Sequence, residues 1–310
     1  MLLAPRTILS LACILLLAAS SGTPVKGAAS RTTSVAVLDL GGTEPARRAA
    51  DGLAQALATD GELAIIDRGL GRAAAHGVGY TGSLNMTMAE ARDLGAAIGC
   101  DFFITGAAAT LRRSPSTGPV YYESYAALFI VSARTGQLIM WERPNAQEAT
   151  METAEAALLA ELRNLAQTRY APAILKARAV EKARAAPGKR RDAVEVEDLS
   201  EENSSGRQED HLRLPQPYRR LRPPYPETAA RSEIEATVDA LVEIGTDGEV
   251  AGVEIVRWAG FGLDEAVIAT IRQMHFRPAS RNGVPVASRV LLRYNFRRPP
   301  KTNAAAERKR

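Results

Sequence analysis

Gly41 and Gly42 stand between an apolar run and a helix-like stretch, the place where a phosphate-binding chain turns so that helix N–H groups can meet an anion. That chemistry also needs a following Gly-Lys-Ser/Thr or a third glycine at the proper spacing. Neither is present, so the pair reads as a tight turn. Asp67 and Arg68 fall at the end of a short apolar run, a position open to catalytic use, but a local ion pair is the expectation. His76, His211 and His275 lie in three separate regions and make no metal constellation. Cys100 has no His or Cys beside it and precedes an apolar run, which makes it a small buried hydrophobe. No serine stands in a nucleophile-elbow motif. The residues thus predict a non-enzymatic protein with no cofactor and no metal.

The elements must therefore position surfaces rather than a reaction centre. The chain has 310 residues, 46% hydrophobic and 24% charged, which suits one or two folded domains. Beyond the amino terminus no apolar stretch reaches 18 residues, so several membrane spans are excluded. Lys plus Arg number 39 against 35 Asp plus Glu, a balance of +4 that gives no case for nucleic acid. At the amino terminus Arg6 precedes an apolar run over 8–19 and the small residues Ser20, Ser21 and Gly22, the layout of a secretory signal peptide over 1–29. Removal is expected between Ser20 and Ala29. The alternative is a retained single anchor, and Cys13, inside the apolar run, speaks against a lipoprotein site.

From residue 30 to 186 strands alternate with helices, which predicts an α/β sheet domain. The run 34–40 is a strand buried on both faces. A helix follows from Pro45 to about Asp60, and 63–67 is a second strand. Thr87 with Glu90 makes a capping box for a helix to Ile98. Strands are expected over 102–108, 120–132 and 138–143, the last two joined by a turn at Arg134-Thr135-Gly136-Gln137, and a long helix over 150–185.

Residues 187–222 lose this periodicity. The stretch 176–191 has seven basic residues and one acidic, whereas 192–210 has eight acidic and one basic. Such blocks cannot bury enough apolar surface to order themselves, so a disordered charged linker with a reach on the order of 30 Å is expected. A second domain spans 223–298, followed by a basic tail over 299–310. In it 234–244 alternates as a half-buried strand, Thr246-Asp247-Gly248 turns the chain into a strand over 250–258, and 263–274 is an amphipathic helix. Asn282-Gly283 then leads into a last strand over 285–296.

This second domain resembles the carboxy-terminal domain of the TonB family. The resemblance rests on Tyr225-Pro226-Glu227, the hairpin Thr246-Asp247-Gly248-Glu249-Val250, and Gly262-Leu263-Asp264 at the helix start. It continues through Phe276-Arg277-Pro278-Ala279 and Asn282-Gly283-Val284-Pro285-Val286. It implies a small α+β fold with a three-stranded antiparallel sheet, the last strand pairing antiparallel with the first and lying at the edge. It further implies strand addition of the short TonB box of an outer-membrane receptor, at Tyr225, Pro226 and the strand residues Arg289, Val290, Leu291, Leu292, Arg293 and Tyr294. Arg289 and Arg293 read equally as charges that keep an edge from pairing with itself. Pro224 stands where the best-known members carry Gln, and His275 where the family usually has Trp.

The amino-terminal domain resembles the α/β domain of envelope proteins such as the curli-export lipoprotein and the amino-terminal domain of TolB. The likeness rests on 34–40, Ala50-Asp51-Gly52-Leu53, Ile65-Ile66-Asp67-Arg68, 95–106, and Arg134-Thr135-Gly136-Gln137 before Trp141. It implies an assembly or scaffold role in the periplasm of a Gram-negative bacterium, with an envelope partner that the sequence does not identify. A retained anchor would add coupling to an ExbB/ExbD-type motor. The rival expectation is a non-transducing scaffold that oligomerises through its edge strand.

Overall fold

The computed structural model describes residues 32–59, 61–185, 197–199 and 212–298. The leader expected over 1–29, His211, most of the two charge blocks' junction and the basic tail over 299–310 lie outside them. The first half builds a six-stranded mixed sheet. β1 (Thr33–Val37) leads through α1 (Glu44–Ala58) to β2 (Leu63–Ile65), and α2 (Arg68–Gly77) and α3 (Met88–Ile98) lead to β3 (Phe102–Arg113). β4 (Tyr121–Ser132), β5 (Leu138–Glu142) and β6 (Asn145–Glu148) complete the sheet. β1 pairs in parallel with β2 and β3, β3–β4–β5 are antiparallel, and the order is β2-β1-β3-β4-β5 with β6 also on β4. α4 (Met151–Leu165), a π-helical turn (Ala166–Tyr170) and α5 (Ala171–Ala185) form the long helix expected over 150–185.

Local chemistry sets these boundaries. Thr43 caps α1 with Pro45 in its first turn, and Thr87 with Glu90 closes the capping box of α3, which Gly99 ends in the left-handed conformation. α2 was not legible as a helix. Its cap is Asp67, whose carboxylate accepts the Leu70 N–H at 2.9 Å. This also corrects the expected Asp67–Arg68 ion pair, because Arg68 turns away from the cap to bond Asp39, at 2.6 Å, and Asp51.

The second half continues with β7 (Glu197–Asp198), β8 (Leu212–Arg213) and β9 (Gln216–Pro217), then α6 (Glu227–Arg231), β10 (Ala236–Ile244), β11 (Val250–Arg257) and α7 (Leu263–Ile271). β12 (Phe276–Arg277), β13 (Ala279–Arg281), β14 (Val284–Val286) and β15 (Ser288–Phe296) close the chain. The main sheet has the order β11-β10-β15-β7, with β10 antiparallel to both β11 and β15. Gly248 makes the β10–β11 hairpin possible. Its φ is +84° and a Cβ there would meet the Phe276 carbonyl oxygen at 1.9 Å, so only glycine fits. Asn282 and Gly283, both at positive φ, form the tight turn from β13 to β14. Within the stretch read in the sequence as linker, Leu212–Arg213 and Gln216–Pro217 pair as short strands with β13 and β12.

The two halves share a core. Along β4, Ala126, Leu128 and Ile130 face α1, α4 and α5, while Ala127, Phe129 and Val131 face the other way. That second face is covered by α2, α3 and the carboxy-terminal domain, whose Trp258 and Phe261 each lie with ring centroids 5.7 Å from Phe129. Gly260 permits this approach, since a Cβ on it would come within 2.4 Å of the Phe129 ring. Asn85 fastens the polar rim, donating to the carbonyls of Thr237 and Trp258 at 2.8 and 2.7 Å and accepting the Thr237 N–H at 3.1 Å.

Candidate peptide-binding edge

β15 pairs with β10 through all nine of its residues, from Ala236↔Phe296 to Ile244↔Ser288. Pleating then sends alternate side chains to opposite faces. Val290, Leu292 and Tyr294 pack half-buried against the domain core. Arg289 and Arg293 project on the other face and are held by cross-strand partners. Arg289 pairs with Glu243, which raises its guanidinium pKa further, and Arg293 bonds Asp239 at 2.7 and 3.1 Å. Asp239 is only 3% exposed and also accepts from Arg257 at 3.3 Å, so two guanidinium groups balance one buried carboxylate.

The outer edge of β15 is the candidate site. The Arg289 carbonyl points outward, where it accepts the Leu199 N–H at 2.8 Å, and alternation turns the backbone groups of Leu291, Arg293 and Asn295 to the same side. β7 lies on this edge in parallel, with Glu197 opposite Ser288 and Asp198 opposite Arg289. Beside the remaining edge runs a groove of about 480 Å³. Its floor is residues 290–294, one wall Met274 and Phe276, and the other the segment that carries Leu214, Pro215, Pro217 and Leu221. That segment is a strap, tied by β8 to β13, by β9 to β12, and by the Tyr218 N–H to the His275 carbonyl at 2.9 Å. Leu214 is 60% exposed at the groove.

The predicted site residues therefore divide. Val290, Leu291, Leu292, Arg293 and Tyr294 line one groove, and Arg289 stands at its start beneath β7. Tyr225 and Pro226 are outside its lining. The Tyr225 ring lies 6.2 Å from Phe296 and its hydroxyl donates to the Ile234 carbonyl, while Pro226 precedes α6 and packs toward Gly262. Both are placed to fix the end of the sheet. Sequence reasoning missed the strap and the Met274–Phe276 wall. A signal existed in the strap: leucines spaced between prolines in 212–224, a pattern that favours extended chain with apolar side chains to bury. His275, where the family usually has Trp, instead places Nδ1 2.9 Å from Glu249 on the β11 hairpin.

Residues 222–297 match the family model described as Gram-negative bacterial TonB protein C-terminal. The carboxy-terminal domain is TonB-like. Domains of this family are non-catalytic and associate in general with outer-membrane receptors. No curated protein matches the chain. Among solved structures, it is similar to the carboxy-terminal domain of TonB from Pseudomonas aeruginosa, at 24% identity over 28% of this chain and 94% of that one, with a TM-score of 0.24. The carboxy-terminal domain of LpoB from Salmonella enterica matches at 17% identity over 38% and 84%, with a TM-score of 0.27. A PelC dodecamer from Paraburkholderia phytofirmans matches at 13% over 46% and 88%, with a TM-score of 0.29.

Elsewhere among the described residues, no group of three or more His, Cys, Asp or Glu could hold a metal, and no helix is long and apolar enough to cross a membrane. Burial pushes the Cys100 thiol up to about 12, which makes it unreactive at neutral pH. Gly41 and Gly42 open the way into α1 as a turn, Gly41 at φ +125°.

Proposed function

We propose that this is an envelope TonB-like protein whose carboxy-terminal domain captures an extended peptide, of the TonB-box type, from an outer-membrane receptor, and so contributes to TonB-dependent transport. The peptide adds to the outer edge of β15, parallel to it, with alternate apolar side chains entering the groove floored by Val290, Leu292 and Tyr294. The observation that carries this reading is β7. A piece of the chain itself already lies on that edge as a parallel strand, so the edge is built to accept one, and the groove continues where β7 stops. The amino-terminal domain holds the capture domain to an envelope partner in the periplasm. If the leader is retained as an anchor, the same arrangement passes force from an ExbB/ExbD-type motor.

A fluorescein-labelled TonB-box peptide of a receptor from the host, titrated with the full chain, tests this by anisotropy. Saturable binding that weakens severalfold in Leu214→Glu, a strap change at an exposed position, supports peptide capture. Absence of binding, with dimers by sedimentation that Leu291→Pro dissolves, favours the scaffold reading instead.

A further inference from the structure

The four-stranded sheet has a second edge, β11, at the end opposite β15. β5 is likewise the last strand of the six-stranded sheet. Residues of both edge strands line one cleft of about 620 Å³ where the two domains meet. Its apolar lining comes from Leu138, Met140, Val253, Ile255 and Ile268, each half-buried. Edge strands are usually guarded by inward charges, Lys or Pro, yet four successive residues of β5, Leu138 to Trp141, carry none.

The charge in the cleft is of one sign. Glu254 of β11 and Glu265 of α7 are exposed at its rim, and Asp264 is buried at its base, where it accepts the N–H groups of Ala259 and Gly260 at 2.9 Å each. Arg289 across the sheet is within electrostatic reach of Glu254, which accepts from the Gln137 amide at 3.4 Å, and Glu265 accepts from the Trp141 indole N–H at 3.3 Å. Both donors are neutral, and no Lys or Arg lines the cleft.

We infer that this cleft between β5 and β11 is a second docking site, for an extended segment of a partner protein that alternates apolar and basic residues. Its backbone continues the sheet from β5, its apolar side chains meet Leu138, Trp141 and Ile255, and its Lys or Arg side chains meet Glu254 and Glu265. β5 offers five residues, roughly 17 Å of ladder. The site lies on the far edge of the sheet from β15, so it stands or falls independently of the receptor-peptide reading.

The chain carries its own reporter, because both of its tryptophans, Trp141 and Trp258, line the cleft. The experiment titrates the full chain with the blocked octapeptide Ac-Lys-Val-Thr-Val-Lys-Val-Thr-Val-amide and follows tryptophan emission. The expected result is a saturable change that weakens about tenfold in the double variant Glu254→Gln, Glu265→Gln, as loss of two charge pairs predicts. The matching peptide with Glu in place of Lys gives no change, and Leu214→Glu at the other edge leaves the titration unaltered. An unchanged emission, equal response to the Glu peptide, or loss of the response in Leu214→Glu would each overturn the inference. So would sedimentation showing that a second copy of the chain fills the cleft before peptide is added.

Discussion

Asp264 shows how one residue ties packing to pH. It is 7% exposed, and burial raises its carboxyl from 3.8 to about 6, against the pull of the two N–H groups it accepts and with help from neighbouring Glu265. A carboxyl with a raised folded-state pKa binds more protons folded than unfolded. Its contribution is full below about pH 4 and is lost as pH rises through 6, staying flat above that. The stability difference between wild type and Asp264→Asn should therefore fall by about 2–3 kcal/mol from pH 4 to pH 7, measured by urea unfolding at each pH. A difference curve that rises over this window would contradict the account. Asn85 acts in the other currency, geometry. Replacing it with Ala strands the Thr237 N–H and the Trp258 carbonyl at the junction of the halves, so Asn85→Ala should cost about 2 kcal/mol in the same assay.

At the scale of elements, the strands whose residues repeat with period two or run unbroken were readable in the sequence, and so were helices with a capping box. β1 read as continuous apolar chain because both its faces are covered, Ala36 on one and Val35 and Val37 on the other, and β10 as alternating because one face carries Asp239 and Glu243. β7, β8, β9 and β12 were not readable. Each has two residues, too few for any period, and each exists only because a partner strand supplies its ladder. α2 was hidden because Asp67, read as the end of a strand over 63–67, lies past β2 and caps a helix instead. The candidate site was correspondingly half legible: its floor lay in one strand, while its walls came from Met274, Phe276 and the strap. Since β7 holds the start of the edge, replacing 197–199 by Gly-Ser-Gly should tighten TonB-box peptide binding severalfold by anisotropy. Unchanged affinity would mean that the peptide and β7 never compete.

At the scale of the molecule, the two domains joined by the stretch read as a charged linker share a hydrophobic core on one face of β4, while a second core on the other face belongs to the amino-terminal domain alone. Phe129 of β4, stacked at 26° on Trp258, and Trp141, 5.4 Å from Phe261, join sheet to sheet. Nothing in a sequence pattern reports such a contact, because apolar residues at a sheet face look the same whether a helix or another domain covers them. One consequence is cooperative unfolding. Trp258→Ala removes a side chain 1% exposed and should lower stability by about 3–5 kcal/mol, with far-ultraviolet and β4-amide probes shifting together. Separate transitions for 32–185 and 223–298 would show that the halves do not support each other. Another consequence is orientation: the amino-terminal sheet is fixed on one face of the TonB-like domain and contributes nothing to the groove along the β15 edge, where we propose that the receptor peptide adds.

The most direct test of that claim is hydrogen exchange of backbone amides in the full chain with and without a saturating TonB-box peptide. Strand addition predicts that the Leu291 and Asn295 amides, which face outward from β15, slow by at least tenfold while the β10 amides are unchanged. Protection confined to other elements, or none at all with peptide bound, would contradict it.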